Sequence, residues 1–528
     1  MDDRLGHGPL TTPRWQGRAE RLWCNGLPVL LVVLGLAVRI RQWWGARSFW
    51  LDELYVLASI TSRGFDQLAS RPLKLDQSAP VGWLWWERLC YQLLGSGERT
   101  LRLPSLVAGA LVLVLVLVLA RQVLPRVLVP VPVALVALSP ALIRYSNEVK
   151  PYEQDVLAVL VVLILGVRAA RSSALRPVVT LALTGAVAVW CSNPVIFALG
   201  GASVAVVGVP LVQGRFRAAL ERAAVLSGWL VSLAVAYVTV LSMSRHSKVL
   251  NAYWDFSFPH GTPLPRWAAH RVAGLADTPW HLAHASTAAV VALLLAAAVA
   301  LVLRHREAAT AVVVALLLGV VSAALALYPL ADRLALWTVP LLAVALGALL
   351  PSRLRRGAPL RLPWALGVVV LLVVLQGGAV RAGAEALGER TDVEEMAALL
   401  TALRGQLQPG DVVLGSMPGS VGLGHYAPAA HLTMGGTFFP VRRPLPCQDD
   451  PALATAGFTS HRVWLVNRVG TTEHLPNGPV TGVLPRIDAV AHVVRRVDRP
   501  GVYALLFAPG PTATPPTGTL CADFTPAG

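Results

Sequence analysis

Two adjacent carboxylates, Asp52 and Glu53, stand in the segment Ser48-Phe49-Trp50-Leu51-Asp52-Glu53-Leu54, between a tryptophan-rich approach and a short apolar stretch. Acids at the edge of an apolar run are costly near lipid and usually mark function. The plain alternative is a pair of solvated loop acids. Carboxylates of this kind can take the proton from a hydroxyl or can hold a divalent cation. A second cluster runs from Ser139-Pro140 to Asp155 and holds five charged residues in the twelve positions from Arg144 to Asp155. Pro151 ends one helix and lets the next begin, so Glu148 and Lys150 fall on the connecting turn. A polar hairpin that merely keeps the turn in water is the competing reading. Arg144, Glu153 and Asp155 lie near membrane depth, however, where charges need partners.

Cations that suit a phosphate are Lys150, Arg144, Arg333 in Tyr328-Pro329-Leu330-Ala331-Asp332-Arg333, and Lys248 with His246 in Arg245-His246-Ser247-Lys248. Arg333 as an anion clamp and Arg333 as the partner of Asp332 are equally open. Ser78, Trp83, Glu148, Tyr152, Asp155 and His246 complete a candidate substrate cavity, with aromatic rings for sugar faces or an isoprenoid chain. His281 and His284 stand three apart with no nearby cysteine or paired acid, a poor metal pattern. A divalent cation, Mg or Mn, at the acids is left open.

The elements that must position these residues are membrane spans. The chain has 528 residues, 55% of them hydrophobic and 14% charged, and its mean hydropathy is +0.59. Many apolar runs approach the ~20 residues needed to cross a bilayer. The net charge of +16 comes from arginines in short clusters between apolar runs. Such clusters read as cytoplasmic loops and exclude a nucleic-acid groove. Lysine occurs only at positions 74, 150 and 248; with the Ala/Val/Leu bias, this points to a GC-rich, actinobacterial kind of genome. No small-residue cleavage site follows the first apolar segment, which reads as a retained span.

Arg14, Arg18 and Arg21 precede the first span, about 27–40, and place the N-terminus inside and the Asp52-Glu53 loop outside. The segment 79–94 is apolar but short, and it carries Glu87, Arg88 and Gln92. It reads as an amphipathic helix at the outer interface. Counting it as a span would turn every later arginine cluster outward, against the positive-inside rule. The further spans are about 103–120, 127–143, 156–167, 178–190, 195–212, 223–241, 285–303, 309–327, 334–350 and 363–380. The expected fold class is thus an α-helical polytopic membrane protein of about eleven spans. A membrane module over 1–380, with the acidic outer loop at 41–102, precedes a small extracytoplasmic α/β domain over 381–508. A helix at 392–407 and strands at 411–414, 461–466 and 501–507 build that domain. The Pro-, Thr- and Gly-rich tail, 509–528, reads as disordered. Cys447 and Cys521 could pair there or remain two thiols.

The order of these motifs resembles the GT-C membrane glycosyltransferases of the protein O-mannosyltransferase and lipid A aminoarabinose transferase type. Asp52-Glu53 matches that group's acidic motif in the first outer loop. Ser78-Ala79-Pro80-Val81-Gly82-Trp83-Leu84-Trp85 loosely matches a KPPLYYW-like segment, and Gly97-Glu98-Arg99-Thr100-Leu101-Arg102-Leu103-Pro104-Ser105 matches an E-RLPS segment. Ser139-Pro140, Tyr145-Ser146, Glu148, Lys150 and Tyr152 match an SP-Y-S-E-R-Y turn. Ser78 stands where the group carries a lysine, so phosphate contact would fall to Lys150, Arg144, Arg333 or Lys248.

The resemblance implies inverting transfer of a sugar from a polyprenyl-phosphate donor to an acceptor hydroxyl at the outer face of the cytoplasmic membrane. The acceptor would be an envelope glycan, lipid or protein. Asp52 would be the general base and Glu53 its orienting partner. The C-terminal domain would cap the cavity or bind the acceptor. A metal-dependent enzyme closer to an oligosaccharyltransferase, a transporter of lipid or glycan, and a non-enzymatic scaffold are the alternatives. One-sided acids and the absence of an evident repeat weigh against transport.

Overall fold

The computed structural model describes residues 21–241, 248–280, 286–350, 395–415, 417–427, 462–468 and 491–510. It divides into two compact units, Met1–Gly45 with Ser59–Gly383, and Ala46–Ala58 with Ala384–Gly528.

The first unit is helical. The helices used below are α1 (Leu27–Trp44), α2 (Leu51–Ile60, shared between the units), α3 (Val81–Leu94), α4 (Leu103–Val123), α5 (Pro130–Ala137), α6 (Pro140–Tyr145), α7 (Tyr152–Arg171), α8 (Arg176–Cys191), α9 (Val195–Val212), α10 (Phe216–Ala236), α11 (Leu264–Trp280), α12 (Thr287–Arg304), α13 (Arg306–Ala324) and α14 (Val339–Leu349). Among the described residues seven helical stretches are long and apolar enough to cross a membrane, and Arg126–Ala137 and Arg176–Cys191 are shorter apolar helices. Helix α7 matches the span expected at 156–167 but begins four residues earlier.

Three expected spans are not single α-helices, and the one at 223–241 ends in π-helix, Tyr237–Leu241. The segment 127–143 is broken between α5 and α6 at Leu138-Ser139, because Pro140 cannot continue the helix that precedes it. Ser139 instead caps α6, its Oγ accepting from the Leu142 N–H. The segment 334–350 begins as 3-10 helix, Asp332–Thr338, before Pro340 opens the α-helical part. The span expected at 363–380 lies outside the described residues. The α-helical polytopic class holds.

Packing is closest around α7, which is flanked by α4, α8 and α9 in one extended apolar core. Gly201 on α9 lets it approach α13: a Cβ there would stand 2.1 Å from the Ala311 carbonyl oxygen. The outward faces of α8, α10 and α12 carry exposed Leu183, Val187, Leu230, Val231 and Leu303, as lipid-facing helices must.

The second unit holds a four-stranded mixed sheet. Its strands are β1 (Val412–Gly415), β2 (Val463–Arg468), β3 (Ala491–Arg499) and β4 (Val502–Pro509), in the order β1-β2-β4-β3. β1 and β2 run parallel with Val412 opposite Val463, and β4 runs antiparallel to both neighbours. Gly501, at φ 73, turns β3 into β4. Helix α15 (Met396–Arg404) buries Met396, Leu399, Leu400 and Leu403, an i, i+3, i+4, i+7 stripe. β1, β2 and β4 fall where strands are expected. β3 was not expected, and Cys447, Cys521 and the tail beyond 510 lie outside the described residues.

Candidate active site

The turn between α6 and α7 is built by contacts from three directions within the first unit. Ser105, at the start of α4, donates its hydroxyl to the Glu148 carbonyl at 2.7 Å and reaches the Lys150 carbonyl at 3.4 Å. The Leu103-Pro104-Ser105 segment thereby fastens the backbone of a turn some 45 residues further along. Asn147 Nδ2 donates to Gln42 Oε1 at 3.0 Å and ties the turn to the end of α1. Lys150 Nζ donates to Gln77 Oε1 at 2.9 Å. Gln77 immediately precedes Ser78, so Lys150 brings its ammonium to the segment where the resemblance places a lysine.

Within the turn, Arg144 Nε meets Glu148 Oε1 at 2.8 Å, with Glu148 fully buried and Arg144 partly exposed. The Arg144 guanidinium also lies over the Tyr145 ring, which meets Tyr152 edge-on. Lys150, Tyr152 and Asp155 are buried. Asp155 sits against Ser192 and the Asn193 backbone, at the turn between α8 and α9. Tyr328 lies near both Asp155 and Tyr152. Its hydroxyl donates to the Leu334 carbonyl at 2.8 Å. Burial first, then the charge of Asp155, raises the Tyr328 phenol well above its ordinary pKa. It therefore stays a neutral donor.

Successive residues of α7 point about 100° apart, and Glu153 faces away from Asp155, towards Arg39 of α1. Arg39 is fully buried and donates to the carbonyls of Gly35 at 3.1 Å and Ala137 at 3.0 Å. Glu153 is its electrostatic partner. Gly109 makes room for the pair: a Cβ there would lie 3.1 Å from Glu153 Oε1 and 3.4 Å from Arg39 Nε. Arg39 thus satisfies the carbonyls freed where α5 stops, and it holds the α5–α6 break from which the turn departs. Sequence reasoning missed this residue. A charge inside an apolar run that must find a partner was the available signal.

Other candidates are placed separately. Arg333 lies over the rings of Tyr253 (5.7 Å) and Trp254 (5.3 Å). Ser78 is exposed, and Trp83 is buried on α3. Lys248 opens the helix Lys248–Trp254, while His246, His281 and His284 lie outside the described residues. Among the described residues no three His, Cys, Asp or Glu side chains form a group suited to a metal ion.

Asp52 and Glu53 occupy the first turn of α2 and belong to the second unit. Glu53 is fully buried, and its Oε2 accepts from the Trp50 N–H at 3.1 Å, the carboxylate half of a capping box. The residues before them are gripped by the C-terminal part of the chain. The Phe49 N–H donates to the Tyr426 hydroxyl at 2.6 Å, and the Ala397 N–H donates to Ser48 Oγ at 3.3 Å. The buried Phe49 ring packs edge-on against His425 and stacks on Tyr426.

Among solved structures, the chain is similar to the oligosaccharyltransferase of Archaeoglobus fulgidus in complex with Zn and sulfate (12% identity, 92% of this chain, 73% of that chain, TM-score 0.48). It is also similar to ArnT from Cupriavidus metallidurans bound to undecaprenyl phosphate (15% identity, 91% of this chain, 98% of that chain, TM-score 0.33). No family model and no curated protein matches the chain. At these identities and TM-scores the functional reading rests on the chain's own residues.

Proposed function

We propose that the protein is a membrane glycosyltransferase that moves a sugar from a polyprenyl-phosphate donor to an acceptor hydroxyl. Transfer takes place at the outer face of the membrane, in one inverting displacement. The observation that carries this reading is the buried polar turn Arg144–Asp155. There, two cations are held by Glu148 and Gln77, and segments far apart in sequence converge.

Asp52, half-buried in the first turn of its helix, takes the proton of the acceptor hydroxyl in the part the resemblance gives it. The acceptor oxygen attacks the anomeric carbon as the bond from that carbon to the phosphate oxygen breaks. Polyprenyl phosphate leaves with the electron pair. No acid is needed for that departure; Lys150 and Arg144 supply the positive charge that stabilises it. Glu53 is committed to the Trp50 amide, and its role is to hold the helix start on which Asp52 rides. The C-terminal part of the chain holds the approach to that helix through Tyr426 and Ala397.

The test is transfer itself. Purified protein is given a panel of radiolabelled polyprenyl-phosphate sugars with crude envelope acceptor. Label passing to the acceptor from one of them supports the reading, and no transfer from any donor by folded protein overturns it.

A further inference from the structure

A groove of about 720 Å³ lies between the interfacial helix α3 and helices α7 and α8. Its walls include Trp83 and Trp86 of α3, Gln154 and Ala158 of α7, and Leu183 and Val187 of α8. No side chain that lines it is charged. The packing is specific: α3 touches α8 at Gly82, where a Cβ would stand 2.7 Å from Cys191 Sγ and 3.0 Å from the Trp190 carbonyl oxygen. Leu183 and Val187 are 66% and 65% exposed, so the groove opens on a face that meets lipid chains rather than water.

Beside the Thr184 hydroxyl and the Cys191 thiol, this largely apolar surface carries two polar groups whose hydrogen bonding is unmet. The Trp83 indole N–H and both ends of the Gln154 amide have no hydrogen-bond partner among the described residues, and Trp83 is only 2% exposed. Buried donors without acceptors are costly, and such groups call for an unseen partner. A groove with largely apolar walls, two unpartnered donors and no cation suits a chain that carries an uncharged acceptor. A polyprenyl phosphate lacks that feature, since its only acceptors are on a charged phosphate that needs cations. The acyl ester of a membrane phospholipid has it: an alkyl chain, and a carbonyl oxygen at the depth of the interfacial tryptophans.

We propose that this groove is a binding site for an acyl chain of an ester-linked phospholipid, its carbonyl accepting from Gln154 Nε2 or Trp83 Nε1. A turn of the flexible Gln154 side chain presents its amide to the groove. The site is distinct from the Arg144–Lys150 turn and does not depend on the glycosyltransferase reading. Its occupant braces α3 against α7 and α8 from the lipid side.

Native mass spectrometry of the full-length protein tests this. Delipidated wild type is titrated with dioleoyl phosphatidylglycerol and, separately, with its dialkyl ether analogue, which lacks both carbonyls. The expected result is one tightly retained ester lipid. The ether analogue is retained about threefold less or weaker still, in keeping with one or two lost hydrogen bonds. Gln154→Leu should reduce the preference for ester over ether, and Ala158→Trp, which fills the groove floor, should abolish retention of either. Equal retention of ester and ether lipid by wild type overturns the proposal, whether or not the variants fold. So does displacement of the ester lipid by undecaprenyl phosphate, which would make the groove part of the donor site.

Discussion

The Lys150 ammonium donates to the Gln77 side-chain oxygen at 2.9 Å while Lys150 itself is only 4% exposed. A lysine carried on the α6–α7 turn is thereby tied to the segment that leads into α3, 73 residues earlier. A cation from elsewhere in the chain thus stands next to Ser78, the position at which the motif resemblance would place a lysine.

Lys150 therefore has a definite kinetic signature. Lys150→Gln should raise the KM for donor and lower kcat/KM by about 10- to 100-fold, the worth of one charge-assisted hydrogen bond to phosphate. Lys150→Arg should recover part of the loss. Steady-state kinetics with varied donor check this. An unchanged KM would remove Lys150 from the donor site.

Arg39 and Glu153 should behave as a stability pair. Arg39→Ala strips the Gly35 and Ala137 carbonyls of their donor and the buried Glu153 of its neighbouring positive charge, and should cost about 1–3 kcal/mol. Arg39→Met combined with Glu153→Leu should restore much of that stability, since neither charge remains. Thermal midpoints in detergent check the order: wild type, then the double variant, then Arg39→Ala. A single variant as stable as wild type would contradict the pairing.

The Cys90 thiol, on helix α3, is pushed up to about 11 by burial and then by the charge of Glu87. Its thiolate fraction at pH 8 is then about 0.1%. Alkylation by iodoacetamide should be slow at pH 8 and should accelerate as pH rises towards 11. Glu87→Gln removes the nearby negative charge, lowers the pKa and should speed the reaction at pH 8. Peptide mass spectrometry of the labelled protein reads the rates.

Tyr426→Phe removes the acceptor of the Phe49 N–H. The buried amide is left unsatisfied at a cost of about 1–3 kcal/mol. The approach to Asp52 loosens, and transfer should fall while donor affinity is retained. Hydrogen exchange at residues 48–53 should rise in parallel. Unchanged exchange there would show that the C-terminal unit does not hold this segment.

Much of this organisation was legible in sequence. The helical class and the position of the α6–α7 turn follow from hydropathy and proline. Strands β1, β2 and β4 are short apolar runs and were visible for that reason. β3 was not: Arg495, Arg496 and Asp498 face solvent, and an irregular register between Val493 and Arg495 breaks the alternation. The contact of Phe49 with Tyr426 spans 377 residues, and no local pattern encodes it. Lys150 was picked out as a cation, but its partner Gln77 was not, because an amide in a loop carries no signal of its own. Arg39 sits beside Arg41 at the end of α1, where arginines are ordinary. Only its contact with the carbonyls at the α5 end sets it apart.

The most direct test of the central claim is transfer by Asp52→Asn beside wild type, with the donor found active in the panel. The side chain keeps its size and loses its basicity. The account predicts a fall in kcat of at least about 100-fold with little change in donor KM. Transfer at the wild-type rate would leave the enzyme class standing but would contradict Asp52 as the general base.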